Sequence, residues 1–585
     1  MPHPSTPSLD AIRHTLAHLL AHAVQDAFPQ AKFAIGPSID NGFYYDLDIG
    51  RPLTQADLKP LEKRMKHLIK QRLPMTTIDG QSDGVHAYLA DQPFKQELFE
   101  EIKAKGETST WYQVGKFIDL CRGGHVENTG NINPDAFQLS HVAGAYWRGD
   151  SAKPMLQRIY GVAFNTKAEL DTHLKQQAEA KRRDHKVLGP ELDLFTFSDL
   201  VGSGLPLWTP KGTLLRDLLD SYVWELRKAV GYERVDIPHI TKKELYEMSG
   251  HWEKFKDELF QITTREGHEF AMKPMNCPHH TQIYARKQHS YRELPQRYAS
   301  TTKVYRDEQT GELAGLARVR SITQDDAHVF CRESQIADEI VAIWKIINTF
   351  YRVAGFTLEV HLSLHDPKHP ANYLGSPALW KKSEEALRQV VHRQKIKAVE
   401  TIGEAAFYGP KIDFMASDSL GRQHQLATIQ LDMNMPERFN LTCVNEQGDH
   451  ERIVMIHAAI MGSIERYLAI LIEHFGGAFP LWLAPVQVQI VTVAKKHNAT
   501  GKKLLKILKD AGLRVHLDDT DETVGYKIRK AEKQKVPYMI VLGDKEKSLT
   551  KLAIRVRGKT AVKTVAIKPW LAAVKKLVDR RAITL

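Results

Sequence analysis

The spacing of apolar positions changes along the chain and marks out its elements. From Ser8 to Phe28 the residues Leu9, Ile12, Leu16, Leu19, Leu20, Ala23 and Ala27 recur at helical spacing, and Pro29 ends the run. Residues 166–190, including KRRDHK, read as a charged helix that links two domains. A further amphipathic helix is predicted from Gly212 to Val230, with Leu215, Leu218, Leu219, Tyr222, Val223 and Leu226 on its apolar side. Gly231 stops it, and YERVDIPHI follows as a strand that ends near Pro238. GEAAFYGPKIDF (403–414) and ATIQLDM (427–433) read as strands, and 456–475 places Ile464, Tyr467, Leu468, Leu471 and Ile472 on a buried helical stripe. Beyond Leu483 the strands VQVQIVTV, LRVHL and PYMIVLG alternate with helices, the pattern of an α/β domain.

The run from Lys303 to Cys331 reads as two antiparallel strands joined by a turn-rich loop, QTGELAG. On that reading Arg306 and Glu308 share a face of the first strand, and Arg318 and Arg320 share a face of the second. Guanidinium forks so placed suit a polyphosphate, with a carboxylate available for an amino donor on a base. The returning strand adds Gln324, Asp325, Asp326 and His328, several acceptors and one possible metal ligand. Any one of these residues is ordinary on a charged surface hairpin; the cluster is not.

The chain of 585 residues, 42% hydrophobic and 26% charged, has the composition of a soluble globular protein of three or four domains. Its four scattered cysteines form no disulfide framework, which fits a reducing compartment. No secretory leader is visible, and the longest apolar stretch, Phe479 to Ala494, is interrupted and too short to span a bilayer. A cytoplasmic protein without a membrane partner is expected. From Ala484 onward 24 Lys and Arg face 9 Asp and Glu, so this part carries +15 and the first 483 residues carry −4 of the net +11. A basic C-terminal region points to a nucleic-acid partner, although a solvated lysine-rich surface has the same count.

YRDE, a loop and RVRSITQDDAH together resemble motif 2 of class II aminoacyl-tRNA synthetases, and the TQDDAH ending resembles the threonyl enzymes in particular. The resemblance implies that Arg306 binds the α-phosphate of ATP, Glu308 the adenine and Arg318 the distal phosphates, with Mg²⁺ accompanying ATP. The segment 456–475 resembles motif 3, which makes Arg466 a further ATP-binding arginine; the helix, strand and proline of 212–238 resemble motif 1 and imply a homodimer. MKPMNCPHH (272–280) is similar to the segment that supplies a thiolate to an active-site zinc, so Cys277, His328 and His457 are the implied ligands of one zinc ion per chain. The same resemblance implies that Gln324, Asp326, Tyr408, Lys411 and Gln430 line the threonine pocket. Glu546 in GDKE and Arg555 in IRVRG match residues that read anticodon bases.

On the first helix His14, His18 and His22 form a stripe, and FIDLCRGGH brings Asp119, Cys121 and His125 into one turn. By ligand type alone His18, His22, Cys121 and His125 suit zinc. HLLAH with CRGGH instead resembles the editing site of threonyl- and alanyl-tRNA synthetases, which implies metal-free hydrolysis of a mischarged tRNA by His18, His22, Asp119, Cys121 and His125. The implied architecture is multidomain α+β: an editing domain (1–165), a helical linker (166–190), a class II catalytic domain with an antiparallel sheet flanked by helices (191–483) and an α/β anticodon-binding domain (484–585). The ubiquitin-like first domain of many family members has no counterpart before Ser8. Departures from the family pattern are Gly124, His279, Ile322 in place of an adenine-stacking aromatic, Leu426, Ala427 and Ala458. The expected function is threonine–tRNA ligation with editing of seryl-tRNA; the alternative is a catalytically silent or accessory RNA-binding paralogue. The set Arg306, Arg318 and Arg466 favours the ligase.

Overall fold

Ser8 opens the first helix, α1 (Leu9–Ala27), by accepting the Ala11 N–H at 3.2 Å, and of the predicted apolar face Ile12, Leu16, Leu19, Leu20 and Ala23 are buried, with Leu9 half-buried and Ala27 exposed at its two ends. The computed structural model describes residues 7–150 and 152–585, so the opening six residues, on which the reading of the N-terminus partly rests, lie outside the described residues. The chain divides between Ala178 and Glu179 into two compact units.

In the first unit α1 packs on strand β1 (Gly42–Asp48) and on helix α2 (Gln55–Lys70). Helix α3 (Pro93–Ala104) precedes a tight hairpin of β2 (Trp111–Val114) and β3 (Phe117–Leu120). Its turn needs glycine, because Gly115 has φ +60° and a Cβ there would lie 2.7 Å from the His22 ring. Strands β4 (Phe137–Tyr146) and β5 (Met155–Ala163) complete an antiparallel sheet in which β5 lies between β1 and β4. Helix α4 (Lys167–Arg183) spans the division between the units. The single helix predicted for 166–190 is interrupted at Asp184, whose carboxylate accepts the Lys186 N–H at 2.8 Å and starts a new helix, α5 (His185–Glu191).

The second unit is built on an eight-stranded sheet. Helix α6 (Pro210–Lys228) is followed by β6, which covers only Glu233–Arg234 of the predicted strand, and by helix α7 (Cys277–Ala285). Strands β7 (Gln296–Tyr305) and β8 (Ser321–Cys331) pair antiparallel from Gln296↔Phe330 to Tyr305↔Ser321. Helix α8 (Ile336–Arg352), strands β9 (Leu358–Leu364), β10 (Val399–Ile402), β11 (Lys411–Ser417), β12 (Gln423–Asp432) and β13 (Val454–Ser463), and helix α9 (Ile464–Phe475) complete it, in the sheet order β6-β7-β8-β13-β12-β11-β9-β10. The chain then forms β14 (Val488–Thr492), α10 (Asn498–Asp510), β15 (Val515–Asp518), α11 (Val524–Lys533), β16 (Tyr538–Leu542), β17 (Lys551–Val556), β18 (Val562–Ala566) and α12 (Ile567–Asp579). Here β15, β14 and β16 are parallel neighbours, and β17 and β18 extend the sheet antiparallel. Among the described residues no helix is long and apolar enough to cross a membrane.

Two expectations about strands are corrected. Arg306, Glu308, Arg318 and Arg320 lie just beyond the ends of β7 and β8 and not on them. One further bond, Arg306 N–H to the Arg320 carbonyl at 3.0 Å, holds the ends together, after which buried Leu316 and Val319 pull the loop out of the ladder. Tyr408 is likewise in a turn before β11, because the chain at 403–410 bends through Gly403 and Gly409 before pairing begins.

Candidate active and editing sites

The sheet register brings the implied pocket together. Tyr298, His328, His457, Gln430 and Lys411 form one cross-strand row over β7, β8, β13, β12 and β11, so their side chains leave the same face. Along β8 a bulge between Gln324 and Asp326 shifts the register, and Asp325 turns the other way. Asp325 accepts the N–H groups of Ile460 and Met461 and pairs with Arg227 of α6, and burial raises its carboxyl to about 7.

Cys277 opens α7 directly above that row, and its sulfur lies with ring nitrogens of His328 and His457 within 4.8 Å of one another, all buried. His457 Nδ1 is 3.0 Å from His328 Nε2, and its Nε2 is 3.0 Å from Asp432. His328 Nδ1 meets His280 at 2.7 Å, and His280 in turn meets Ser300. Each histidine thus has an outer partner that orients it, the arrangement that metal-binding imidazoles need. Burial, with the carboxylates of Asp326 and Asp432, raises the Cys277 thiol far above its ordinary value; a bound cation reverses that balance. Three soft or borderline donors fit zinc. His251, fully buried and 3.6 Å from the Cys277 sulfur, and Asn276, which donates to Asp326 at 3.0 Å, belong to the same place and carried no signal in the sequence.

Tyr408 hydrogen-bonds Gln430 and stacks on His457, with ring centroids 4.7 Å apart, while Lys411 pairs with Asp413 at 3.1 Å. Leu426, Ala427 and Ala458 are buried in the main core. His279, the other departure here, is buried with neither ring nitrogen hydrogen-bonded, and burial beside Lys273 lowers it to about 4. Cys331 is a core residue.

Beside this pocket lies a cavity of about 380 Å³ lined by Arg306, Glu308, Arg318, Ile322, Gln324 and Arg466, among others. Ser463 caps α9 and holds Arg466 in its first turn. The buried Nε of Arg306 has no hydrogen-bond partner. Arg318 is held at the rim by Glu308 at 2.6 Å and by Glu312 at 3.2 Å. The cavity therefore offers three guanidinium groups and a carboxylate beside an aliphatic wall that includes Ile322.

In the first unit the structure gathers His14, His18, Cys121 and His125, with donor atoms within 4.8 Å of one another. Of the expected histidines His18 belongs to this group and His14 joins it, while His22, one turn further along α1, lies 3.9 Å from Asp26 and stacks on Phe117. Eight residues of helix rise about 12 Å, so a stripe of three histidines is too long for one cluster, and the CRGGH turn lies level with the first two. Asp119 is 3.4 Å from His18 Nδ1, accepts the Tyr45 hydroxyl at 2.6 Å and pairs with buried Lys95. Lys95 and Tyr45 come from distant segments and gave no sequence signal. Burial pushes the Cys121 thiol up to about 12 and His125 down to about 2, and lowers His14 and His18 as well. A neutral thiol among neutral imidazoles suits the positioning of water better than thiolate attack.

Glu546 lies in the turn after β16, where it accepts the Gly543 N–H at 3.0 Å, and Arg555 lies on β17 opposite Met539.

Comparison with known proteins gives three family matches: the tRNA synthetase class II core domain (G, H, P, S and T) over residues 260–475, the anticodon binding domain over 487–577, and the threonyl and alanyl tRNA synthetase second additional domain over 110–160. The threonine–tRNA ligase of Thermotoga neapolitana is 45% identical over 576 residues, 98% of this chain and 89% of its own. The chain belongs to the threonine–tRNA ligase family. A relative from Gloeobacter violaceus is 45% identical over 98% of this chain and 93% of its own. Among solved structures, the RNA binding domain of threonyl-tRNA synthetase from Cryptosporidium parvum superposes with a TM-score of 0.64 at 34% identity, covering 69% of this chain and 99% of that one.

Proposed function

We infer that the chain is an ATP-dependent threonine–tRNA ligase, which activates threonine at the eight-stranded sheet, transfers it to tRNA and hydrolyses seryl-tRNA at the cluster in the first unit. The observation that carries the reading is the convergence, on one sheet face, of the His328, His457, Gln430 and Lys411 row with the arginine-lined cavity.

Arg306, with its unpaired Nε, receives the α-phosphate, and Arg466 faces it from α9. Glu308 and Arg318 exchange their mutual ion pair for adenine and distal phosphates, a small cost because the Arg318 side chain is 48% exposed. Mg²⁺ enters with ATP. The threonine carboxylate attacks the α-phosphate, pyrophosphate leaves, and positioned positive charge stabilises the transition state. Cys277, His328 and His457 would hold one zinc ion, whose open positions suit the amino and hydroxyl groups of threonine. Asp326, oriented by Asn276, accepts from the hydroxyl, with Gln324, Tyr408, Gln430 and Lys411 around it. Valine leaves these groups unpaired. Serine keeps the hydroxyl, and a missing methyl is worth only about 1–3 kcal/mol. Hydrolysis at His18, Cys121 and His125, with His14 beside them, Asp119 behind them and His22 one turn further along α1, makes up the difference.

Glu546 and Arg555 lie in the basic C-terminal region and read the anticodon. The exposed apolar side chains of Phe197, Leu200, Val201 and Leu207, just before α6, support a homodimer, which sedimentation at micromolar concentration reads directly. The domain bounds 1–165, 166–190, 191–483 and 484–585 and a cytoplasmic location complete the reading. ATP–pyrophosphate exchange with each amino acid tests it: threonine supports exchange, serine does so less well, valine does not, and Arg466→Ala loses at least about a hundredfold. Exchange driven equally by valine, or exchange untouched in Arg466→Ala, contradicts the site.

A further inference from the structure

The nucleotide cavity has two walls. One is the start of α9, with Gly462, Ser463 and Arg466; the other is the loop between β7 and β8, with Glu308, Ala317, Arg318 and Val319. A loop of this length loses much conformational freedom when Arg318 is placed, so whatever anchors it affects nucleotide binding. Leu316, next to the lining residues, is the anchor. Its side chain is buried in the main core, and its buried N–H donates to Nε2 of His185 at 3.0 Å. A Cβ on Gly315, which has φ +57°, would lie 2.4 Å from the same nitrogen, so the loop backbone presses directly on the imidazole.

His185 is buried at the start of α5. Its Nδ1 lies 2.5 Å from Glu473, and its backbone N–H donates to the same oxygen at 3.1 Å. A backbone N–H can only donate, so Nε2 is the acceptor and the ring proton sits on Nδ1, shared with Glu473. Glu473 lies in the last turns of α9, whose first turn carries Arg466, and it also pairs with Arg422 at 2.6 Å. Asp184, His185 and Glu473 together have the donor types of a metal site, but both ring nitrogens are already engaged.

We propose that His185 is a positioning residue for amino-acid activation: it ties the Leu316 turn of the loop to α9 and so sets the distance between the two arginine-bearing walls of the nucleotide cavity. The inference rests on the reading of that cavity as the ATP site. Asparagine and glutamine separate the two bonds, because the glutamine amide reaches the Nε2 position and the asparagine amide only that of Nδ1. In ATP–pyrophosphate exchange by the full chain, His185→Asn, which leaves the Leu316 N–H unpaired, raises the KM for ATP about tenfold with the KM for threonine unchanged. His185→Gln, which keeps the Leu316 bond and, through the backbone N–H of residue 185, the link to Glu473, stays within about twofold of the parent. Hydrolysis of preformed seryl-tRNA is the same in both. Equal KM values for ATP in the two variants, or losses that track a fall in Tm and spare the ATP dependence, overturn the proposal. Arg466→Ala separates the two levels: if it leaves exchange intact, the ATP site and the proposal fall together, whereas if it abolishes exchange while His185→Asn binds ATP normally, only the proposal falls.

Discussion

Two similar clusters of cysteine and histidine differ in the residues that surround them. His457 and His328, grouped with Cys277, are backed by Asp432 and His280, whereas Asp119 behind His18 is already engaged by Lys95 and Tyr45. The purified chain should therefore carry one zinc per chain. Cys277→Ser should lose it, and His14→Ala with His18→Ala should keep it. Metal analysis giving two equivalents, the second lost in the double histidine variant, contradicts the division. Cys277 was legible only through resemblance, since a lone cysteine before proline otherwise reads as a small core residue. The i, i+4 rule located the histidine stripe, and the height of the CRGGH turn sets which of its members lie against Cys121 and His125. Lys95 and Tyr45 were not legible, because they approach Asp119 from elements that sequence spacing does not connect.

Among the elements, apolar periodicity gave α1 and α6 to within two residues, the buried stripe of α9 and the pairing of β7 with β8, but it did not show that 456–463 belong to β13. It placed Arg306, Glu308, Arg318 and Arg320 on strands when they belong to the loop, because alternation does not show where buried Leu316 and Val319 draw a chain away from its partner. The end of α9 is held by a group that titrates. Burial raises the Glu473 carboxyl, but hydrogen bonds from His185 and Arg422 outweigh it and bring it down to about 2. Its folded value lies below the ordinary unfolded one of about 4.3, so its contribution to stability is full above about pH 4.5 and is lost as pH falls toward 2. Thermal unfolding of Glu473→Gln should show a deficit in Tm at pH 7 that closes between about pH 5 and 3. A deficit constant across that range would show that the carboxylate charge does not matter.

For the whole molecule, the central claim is that activation and correction are separate chemistries in separate units. The activation pocket recognises a hydroxyl through Asp326 and its neighbours, which rejects valine but distinguishes serine by only about 10- to 200-fold. The cluster of His14, His18, Cys121 and His125 shares no residue with the activation row, and burial raises the Cys121 thiol to about 12. The most direct measurement is the accumulation of seryl-tRNA by the parent chain and by Cys121→Ala, alongside threonine-dependent ATP–pyrophosphate exchange. The account predicts that the variant accumulates seryl-tRNA, that the parent does not, and that exchange is the same in both. Accumulation by the parent as fast as by the variant, or loss of threonine activation in the variant, would contradict it.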